Sequence, residues 1–217
     1  MTTPPIKAIH EAATLPRLVL IDANVFFSPR LRDLFMALHV HDILSLRWTR
    51  RIESEWTRNV REKHAARPEA LEACVRGMRK VVPDWEVEDV EGLEWAFHDV
   101  SPSDRHVAAA AYQLMSKESE GRPVALITGN LRDFRSSLLD KKGVLVISPA
   151  AYLDALHAQL PDRLLAVADE CRLKLKQPTL GLLQYAAVLR NLGCHRLPMA
   201  LLRREGFTVS ATADCSG

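Results

Sequence analysis

The sequence lacks the features of a membrane-spanning or secreted protein. No apolar run approaches the roughly 18–20 residues that a membrane-spanning helix needs. Residues 1–16 lack a basic start followed by an apolar stretch, so we expect no secretory signal. The four cysteines are far apart and form no C-x-x-C pair: Cys74, Cys171, Cys194 and Cys215. We therefore expect reduced thiols in a cytoplasmic protein, and no zinc site is indicated.

The sequence also lacks a strong excess of charge of one sign. Its 29 Lys and Arg residues against 27 Asp and Glu residues give a net charge of +2, whereas nucleic-acid-binding proteins often carry a large basic excess. The positive charges are nevertheless clustered in one short segment: Arg47, Arg50, Arg51, Arg58, Arg61 and Lys63. Two interpretations stay open, a basic strip that binds phosphates beside an acidic pocket and a solvated helix face with glutamate partners.

Short apolar runs alternate with helical patterns up to about residue 149. Branched apolar runs predict buried strands at 17–21, 43–48, 124–128 and 143–148, and an alternating charged segment predicts an edge strand at 85–90. Apolar residues at helical spacing predict helices over 31–40, 49–64, 68–82 and 105–115. Strands that alternate with helices predict an α/β fold, with a mainly parallel sheet and helices on both faces.

The strand patterns stop after residue 149. Helical patterns follow at 151–160, 162–176 and 179–193, and the small polar stretch at 208–217 predicts a loose tail. We therefore divide the chain into an N-terminal arm at 1–16, an α/β domain at 17–149 and a helical C-terminal extension at 150–217.

Acidic residues recur where a parallel sheet collects functional groups, at the carboxyl ends of its strands. Asp22 ends the first predicted strand, Asp104 opens the helix at 105–115, and Asp133 follows the strand at 124–128. Divalent cations such as Mg²⁺ bind oxygen ligands, and carboxylates that converge in one cleft repel each other unless a cation offsets their charge. The pattern indicates a site for Mg²⁺ or Mn²⁺.

Each of these acids also has a structural interpretation. Asp22 could cap a turn and Asp133 could begin a short helix. The SPSD segment at 101–104 fits a capping box, with Ser101 at the N-cap and Asp104 at the third helical position. Against capping, Asp104 lies three and four residues before the buried stripe of its helix and so points along it.

The helix at 49–64 offers two further acids, Glu53 and Glu55. They are two residues apart and flank the apolar stripe on opposite sides, so helical geometry does not choose between them. We expect one of the two to face solvent or to pair with an arginine.

Four segments together resemble the PIN-domain nucleases, especially the toxins of VapBC-type toxin–antitoxin pairs. They are LIDANVFFS at 20–28, RIESEWTRNV at 51–60, SPSDRHVAAAA at 101–111 and LITGNLRDF at 126–134. Their order and spacing suit the family over residues 17–150. The resemblance implies a PIN-like fold and a metal-dependent endoribonuclease whose acids bind Mg²⁺ or Mn²⁺: Asp22, Glu55, Asp104 and Asp133. It favours Glu55 over Glu53 because the family's glutamate directly precedes a bulky residue and an R-N pair, here Trp56, Arg58 and Asn59.

The resemblance also implies accessory residues and partners. Polar positions that line such a site are matched by Asn24, Asn59, Thr128 and Asn130, and Arg51 and Arg58 would hold the RNA backbone. His106 matches a position beside the third acid, although a helix-face histidine without chemistry is the simpler interpretation. Ser54 departs from the pattern, since many relatives carry an acid there. The implied partners are RNA, a cognate antitoxin protein and a second copy of the chain in a homodimer, with no membrane.

Other classes fit the residues less well. A phosphatase of the haloacid-dehalogenase kind needs a second Asp two residues after the first, where this chain has Asn24. A receiver domain needs a lysine at a strand end, and none follows the strands at 124–128 or 143–148. A catalytically inactive PIN-fold module that binds RNA or protein remains the alternative, which metal-dependent cleavage of RNA would separate from the enzyme.

Overall fold

A four-stranded, all-parallel sheet forms the centre of the protein. The computed structural model describes residues 15–64, 68–134, 136–176 and 178–207. The strands are β1 (Leu18–Ile21), β2 (Ser45–Arg47), β3 (Val124–Ile127) and β4 (Val144–Ile147), and they lie in the order β2-β1-β3-β4. The four predicted buried strands and the parallel α/β class are confirmed.

Ten α-helices and one 3-10 helix lie within the described residues. The helices are α1 (Ala23–Phe26), α2 (Pro29–Val40), α3 (Arg50–His64), α4 (Pro68–Val81), α5 (Arg105–Lys117), α6 (Ser137–Lys141), α7 (Pro149–Gln159), α8 (Pro161–Leu173), α9 (Leu182–Asn191) and α10 (Arg196–Arg204), with the 3-10 helix at Glu94–Phe97. The helices predicted between residues 31 and 115 are confirmed. As expected, Thr49 precedes α3, and its hydroxyl accepts the Ile52 N–H at 3.1 Å.

Helices cover the sheet on both faces. Val19, Leu20 and Ile21 of β1 are all 0% exposed, and because consecutive strand residues point to opposite faces, both faces must be covered. The chain crosses the sheet in one direction from β1 to β2 and in the other from β2 to β3. Right-handed crossovers therefore place α2 and α5 on opposite faces, and the carboxyl ends of β1 and β3 are neighbours in the centre.

The predicted edge strand at 85–90 is wrong. Only Glu86 pairs, in an isolated bridge with Trp48, where the Trp48 N–H donates to the Trp85 carbonyl at 2.8 Å. The two indole rings stack with centroids 5.1 Å apart, which accounts for the alternating apolar pattern. Asp89 has a φ of 57°, and this left-handed conformation ends the extended segment.

The C-terminal helices pack onto the α/β part rather than standing apart. The three predicted helices appear as α7, α8 and α9, and α8 packs against α2. His41 and Glu170 are joined at 2.7 Å between these two helices. One hydrophobic cluster contains residues of both parts. The helix α10 was not predicted, because Pro198 interrupts its pattern; Pro198 is tolerated since it lies in the first turn.

The predicted loose tail at 208–217 and most of the predicted arm at 1–16 lie outside the described residues. Within the ranges that are described, no helix is both long and apolar enough for a membrane span, and three cysteines are free: Cys74, Cys171 and Cys194.

Candidate carboxylate site at the carboxyl ends of the strands

Asp22 lies at the carboxyl end of β1 and is 5% exposed. Its Oδ2 accepts hydrogen bonds from the Thr128 hydroxyl at 2.7 Å and the Asn24 amide at 2.5 Å. Asp22 occupies the N-cap position of α1, yet its side chain makes no capping hydrogen bond. The turn-capping interpretation therefore does not account for this buried acid, which is held instead by side chains from two strand ends.

A hydrogen-bond network joins the ends of β1 and β3 around Asp22. The Asn24 Oδ1 accepts the Gly129 N–H at 2.9 Å, and the Thr128 hydroxyl accepts the Asn24 amide and the Asn130 N–H, both at 3.0 Å. The Asn130 amide donates in turn to Asp133. Three of the four polar residues that the resemblance implied, Asn24, Thr128 and Asn130, thus lie together and link the first acid to the fourth.

Gly129 lies close to the Asn24 side chain. A Cβ at that position would lie 3.4 Å from the Asn24 Oδ1, at the lower border of ordinary van der Waals contact. A side chain there would contact the oxygen that accepts the Gly129 N–H.

The structure separates the roles of Glu53 and Glu55. Glu53 is 8% exposed and accepts from Arg79, with Nε at 3.0 Å and Nη2 at 2.5 Å, and from the Trp48 indole at 3.2 Å. Glu53 is therefore the glutamate that pairs with an arginine, in a contact that joins α3 to α4.

Glu55 faces the other acids. Burial raises the pKa of Glu55, and the charge of Asp104 raises it further, while Arg58 and Arg51 oppose the shift. Its side chain is 34% exposed, so it lies at the border between the buried strand ends and solvent.

Asp104 is positioned by a turn rather than by a capping box. The helix α5 begins at Arg105, and the preceding turn is closed by the Asp104 N–H, which donates to the Ser101 carbonyl at 2.8 Å. The side chain of Asp104 makes no capping bond, and the Ser101 hydroxyl contacts that of Ser103 at 2.9 Å. The capping-box interpretation is wrong, because the Asp104 carboxylate accepts from no helix N–H and its side-chain hydrogen bond is with Ser103.

The four carboxylates are linked by mutual repulsion. The pKa of Asp22 is raised from 3.8 to about 6, first by burial and then by the charges of Glu55 and Asp104. The pKa of Asp104 is raised by burial and by the charge of Asp133. Side chains that are scattered between positions 22 and 133 therefore share one electrostatic environment, and it is one that a cation would stabilise.

The donor set suits a hard divalent cation that keeps part of its water shell. All four side chains offer carboxylate oxygens, the ligands that Mg²⁺ and Mn²⁺ favour. Among the described residues, no three His, Cys, Asp or Glu side chains stand close enough to chelate one ion as they are. Mg²⁺ usually takes one or two carboxylates and retains several waters. The ion therefore does not need a full shell of protein ligands, and the carboxylates of this site fit Mg²⁺ or Mn²⁺.

His106 is buried beside Glu55. It is 3% exposed, and its Nδ1–H donates to the Ser103 carbonyl at 2.8 Å. Its Nε2 has no hydrogen-bond partner among the residues that the structure describes, and it lies 3.6 Å from the Glu55 Oε2. Burial, and then the charge of Arg51, lowers the pKa of His106 to about 4, so the ring is neutral at pH 7. The interpretation of His106 as a helix-face residue without chemistry does not explain this unpartnered nitrogen.

Some of the clustered arginines fit a solvated face with glutamate partners, and one fits a strip that binds phosphates. Three have glutamate partners: Arg47 bonds to Glu118, Arg50 to Glu86 and Arg51 to Glu94. Arg58 is exposed, its charge opposes the rise in the pKa of Glu55, and its guanidinium donates no hydrogen bond within the described part of the chain. Asn59 is half-buried, one turn after Glu55 on α3.

The C-terminal extension reaches the border of the site. A cleft of about 360 Å³ is lined by Asn24, Gly129, Ser148, Pro149, Leu192 and Gly193, among others. Gly193 has a φ of 87°, and a Cβ there would lie 3.4 Å from that of Ala150. The sequence did not predict this contribution, because nothing in a helical pattern tells which surface the following turn will contact.

Comparison with known proteins found no family model, no curated protein and no solved structure that matches this chain.

Proposed function

We propose that the chain is a metal-dependent endoribonuclease with a PIN-like fold, which hydrolyses phosphodiester bonds in RNA. The observation that carries the proposal is the electrostatic interaction among carboxylates from four separate segments near the carboxyl ends of a parallel sheet, which together with burial raises the pKa values of Asp22, Glu55 and Asp104. Mutual repulsion of this kind destabilises the metal-free fold, and a bound cation would offset it, which supports a metal-binding role.

Asp22, Glu55, Asp104 and Asp133 would hold one or two Mg²⁺ or Mn²⁺ ions. When bound, such an ion lowers the pKa of a coordinated water and offsets the negative charge that develops on the phosphate. The Thr128 hydroxyl and the Asn24 amide fix the orientation of Asp22, and Asn130 does the same for Asp133.

Arginines beside the carboxylates would bind the RNA backbone. The charges of Arg58 and Arg51 both lower the pKa of Glu55, so the two guanidinium groups lie near that carboxylate. RNA phosphates that contact them would therefore lie next to the proposed metal site. Phosphate contacts fix position more than sequence. Single-stranded or looped RNA is the expected substrate, because its backbone can enter a narrow cleft.

The test is cleavage of a fluorescently labelled single-stranded RNA by purified protein, with Mg²⁺, Mn²⁺ or EDTA. We expect cleavage that depends on the ion and falls at least about 100-fold in Asp22→Asn, since that variant keeps the shape and removes a charge. Asp162→Asn, an exposed acid on α8, is the matched control and should retain full activity.

Full activity in Asp22→Asn would remove Asp22 from the mechanism. RNA binding without cleavage under any metal condition would favour the alternative, an inactive PIN-fold module that binds RNA or protein.

We further propose that the chain is a cytoplasmic toxin held in check by an antitoxin protein. An uninhibited ribonuclease would damage its host, and an arginine of the antitoxin could pair with the carboxylates. Co-expression with the neighbouring reading frame and a pull-down test this partner, and absence of co-purification would count against it. A homodimer would extend the RNA groove. The molar mass of the protein in solution tests whether this homodimer forms.

A further inference from the structure

His106 carries a buried nitrogen that no described residue satisfies. Its Nε2 accepts no hydrogen bond from the described part of the chain, while its Nδ1–H donates to the Ser103 carbonyl. Because a carbonyl can only accept, Nδ1 carries the proton and Nε2 presents its lone pair. Buried polar atoms are nearly always satisfied, so a free nitrogen in this position needs an explanation.

The partner that faces this nitrogen is a carboxylate of the candidate site. The His106 Nε2 lies 3.6 Å from the Glu55 Oε2, which is too long for a hydrogen bond and too short for a bridging water with two ordinary hydrogen bonds. Two ligands about 2.1–2.2 Å from one ion, at angles between 90° and 110°, lie about 3.0–3.6 Å apart. The observed separation therefore fits two ligands of a shared ion.

The hydrogen bond at Nδ1 supports the same conclusion. Histidines that bind metals almost always donate their other ring N–H to a backbone carbonyl or a carboxylate, which fixes the ring and its tautomer. The Ser103 carbonyl does this here at 2.8 Å, from the turn that also positions Asp104.

We propose that His106 supplies a nitrogen ligand, through Nε2, to the divalent ion of the carboxylate site and makes that site prefer Mn²⁺ to Mg²⁺. The inference rests on the proposed metal-dependent function. Imidazole is a good ligand for first-row transition ions, whereas Mg²⁺ strongly prefers oxygen. His106 and Glu55 form one pair of donors, and Asp22 and Asp104, whose charges interact with that of Glu55, are the acids that could join them.

The experiment measures metal binding directly, without RNA. Calorimetric titrations with Mn²⁺ and with Mg²⁺ are made on the wild type, His106→Gln and His98→Gln; His98 is exposed and controls for adventitious binding to imidazole. Pulsed electron paramagnetic resonance of the Mn²⁺-loaded proteins then detects a coupled ¹⁴N nucleus.

We expect ¹⁴N coupling in the wild type and in His98→Gln, and none in His106→Gln. The Mn²⁺ affinity of His106→Gln should fall at least about tenfold, with its Mg²⁺ affinity unchanged. If His106→Gln does not fold, the wild-type spectrum still decides the question.

The outcomes separate the two proposals. Mn²⁺ binding that Asp22→Asn abolishes, but without ¹⁴N coupling or any effect of His106→Gln, would overturn the ligand role of His106 and leave the proposed function intact. A wild type that binds neither ion would overturn both.

Discussion

Replacement of Asp22 by Asn should stabilise the metal-free protein while it removes activity. The carboxyl of Asp22 has its pKa raised from 3.8 to about 6 in the folded state. At about 1.4 kcal/mol per pKa unit, the ionised group destabilises the fold by about 3 kcal/mol at pH 7.5. Asn keeps the shape but offers one acceptor instead of two, which costs about 1 kcal/mol. We expect a net gain of about 2 kcal/mol in the free energy of unfolding.

The sign of the effect gives it a characteristic pH window. The folded protein binds the Asp22 proton more tightly than the unfolded chain does, so the stability of the wild type falls as the pH rises from about 4 to about 6. Below pH 4 the carboxyl is protonated in both states and its charge costs nothing. The advantage of Asp22→Asn should therefore grow between pH 4 and pH 6 and stay constant above.

Urea denaturation in EDTA at pH 4 and pH 7.5 measures the difference, with Asp162→Asn as the control that should change little at either pH. Equal or lower stability of Asp22→Asn at pH 7.5, or the same difference at both values, would refute the reasoning. Excess Mn²⁺ should reverse the order at pH 7.5, because an ion that binds only the folded wild type stabilises it by mass action.

Three further outcomes are expected. Glu53→Ala should lower the free energy of unfolding by about 2–3 kcal/mol in urea titrations, because it leaves the buried Trp48 indole without an acceptor and breaks the ion pair with Arg79. Glu55→Gln should leave the free energy of unfolding unchanged or higher and abolish RNA cleavage. If Glu53 were the metal ligand and Glu55 the structural residue, the two results would be exchanged. Gly193→Val should cost about 1–3 kcal/mol, since the residue has a φ of 87°, and an unchanged urea midpoint would contradict this. Arg58→Ala should weaken RNA binding and lower its salt dependence by about one counterion, with fluorescence anisotropy against salt concentration as the measurement.

The two glutamates of α3 show where sequence reasoning stopped. Helical geometry placed Glu53 and Glu55 on opposite sides of one stripe and predicted that one would pair with an arginine. Which of them pairs depends on α4, because Arg79 lies 26 positions after Glu53 in the chain. The choice of Glu55 came from the resemblance, and in the structure its charge interacts with those of Asp22 and Asp104.

The capping box and the edge strand failed for a related reason. The segment at 101–104 has the right residues for a capping box, but a turn closed by the Ser101 carbonyl delays the helix to Arg105. The segment at 85–90 alternates as a strand does, yet packing of Trp85 on Trp48 satisfies the same pattern with one bridge. Local patterns record which side chains are buried and not which backbone partners are available.

The sequence by itself determined the four buried strands, the main helices between them, the parallel α/β class and the placement of Asp22 and Asp133 after strands, because apolar periodicity and turn residues act within a few positions. Only the tertiary structure decided that the Thr128 hydroxyl holds Asp22, that His106 turns a free nitrogen toward Glu55 and that the turn at Gly193 reaches the same edge. These contacts join residues that the chain keeps far apart, and their burial, which sets the pKa values of the site, exists only once the sheet and its covering helices have packed.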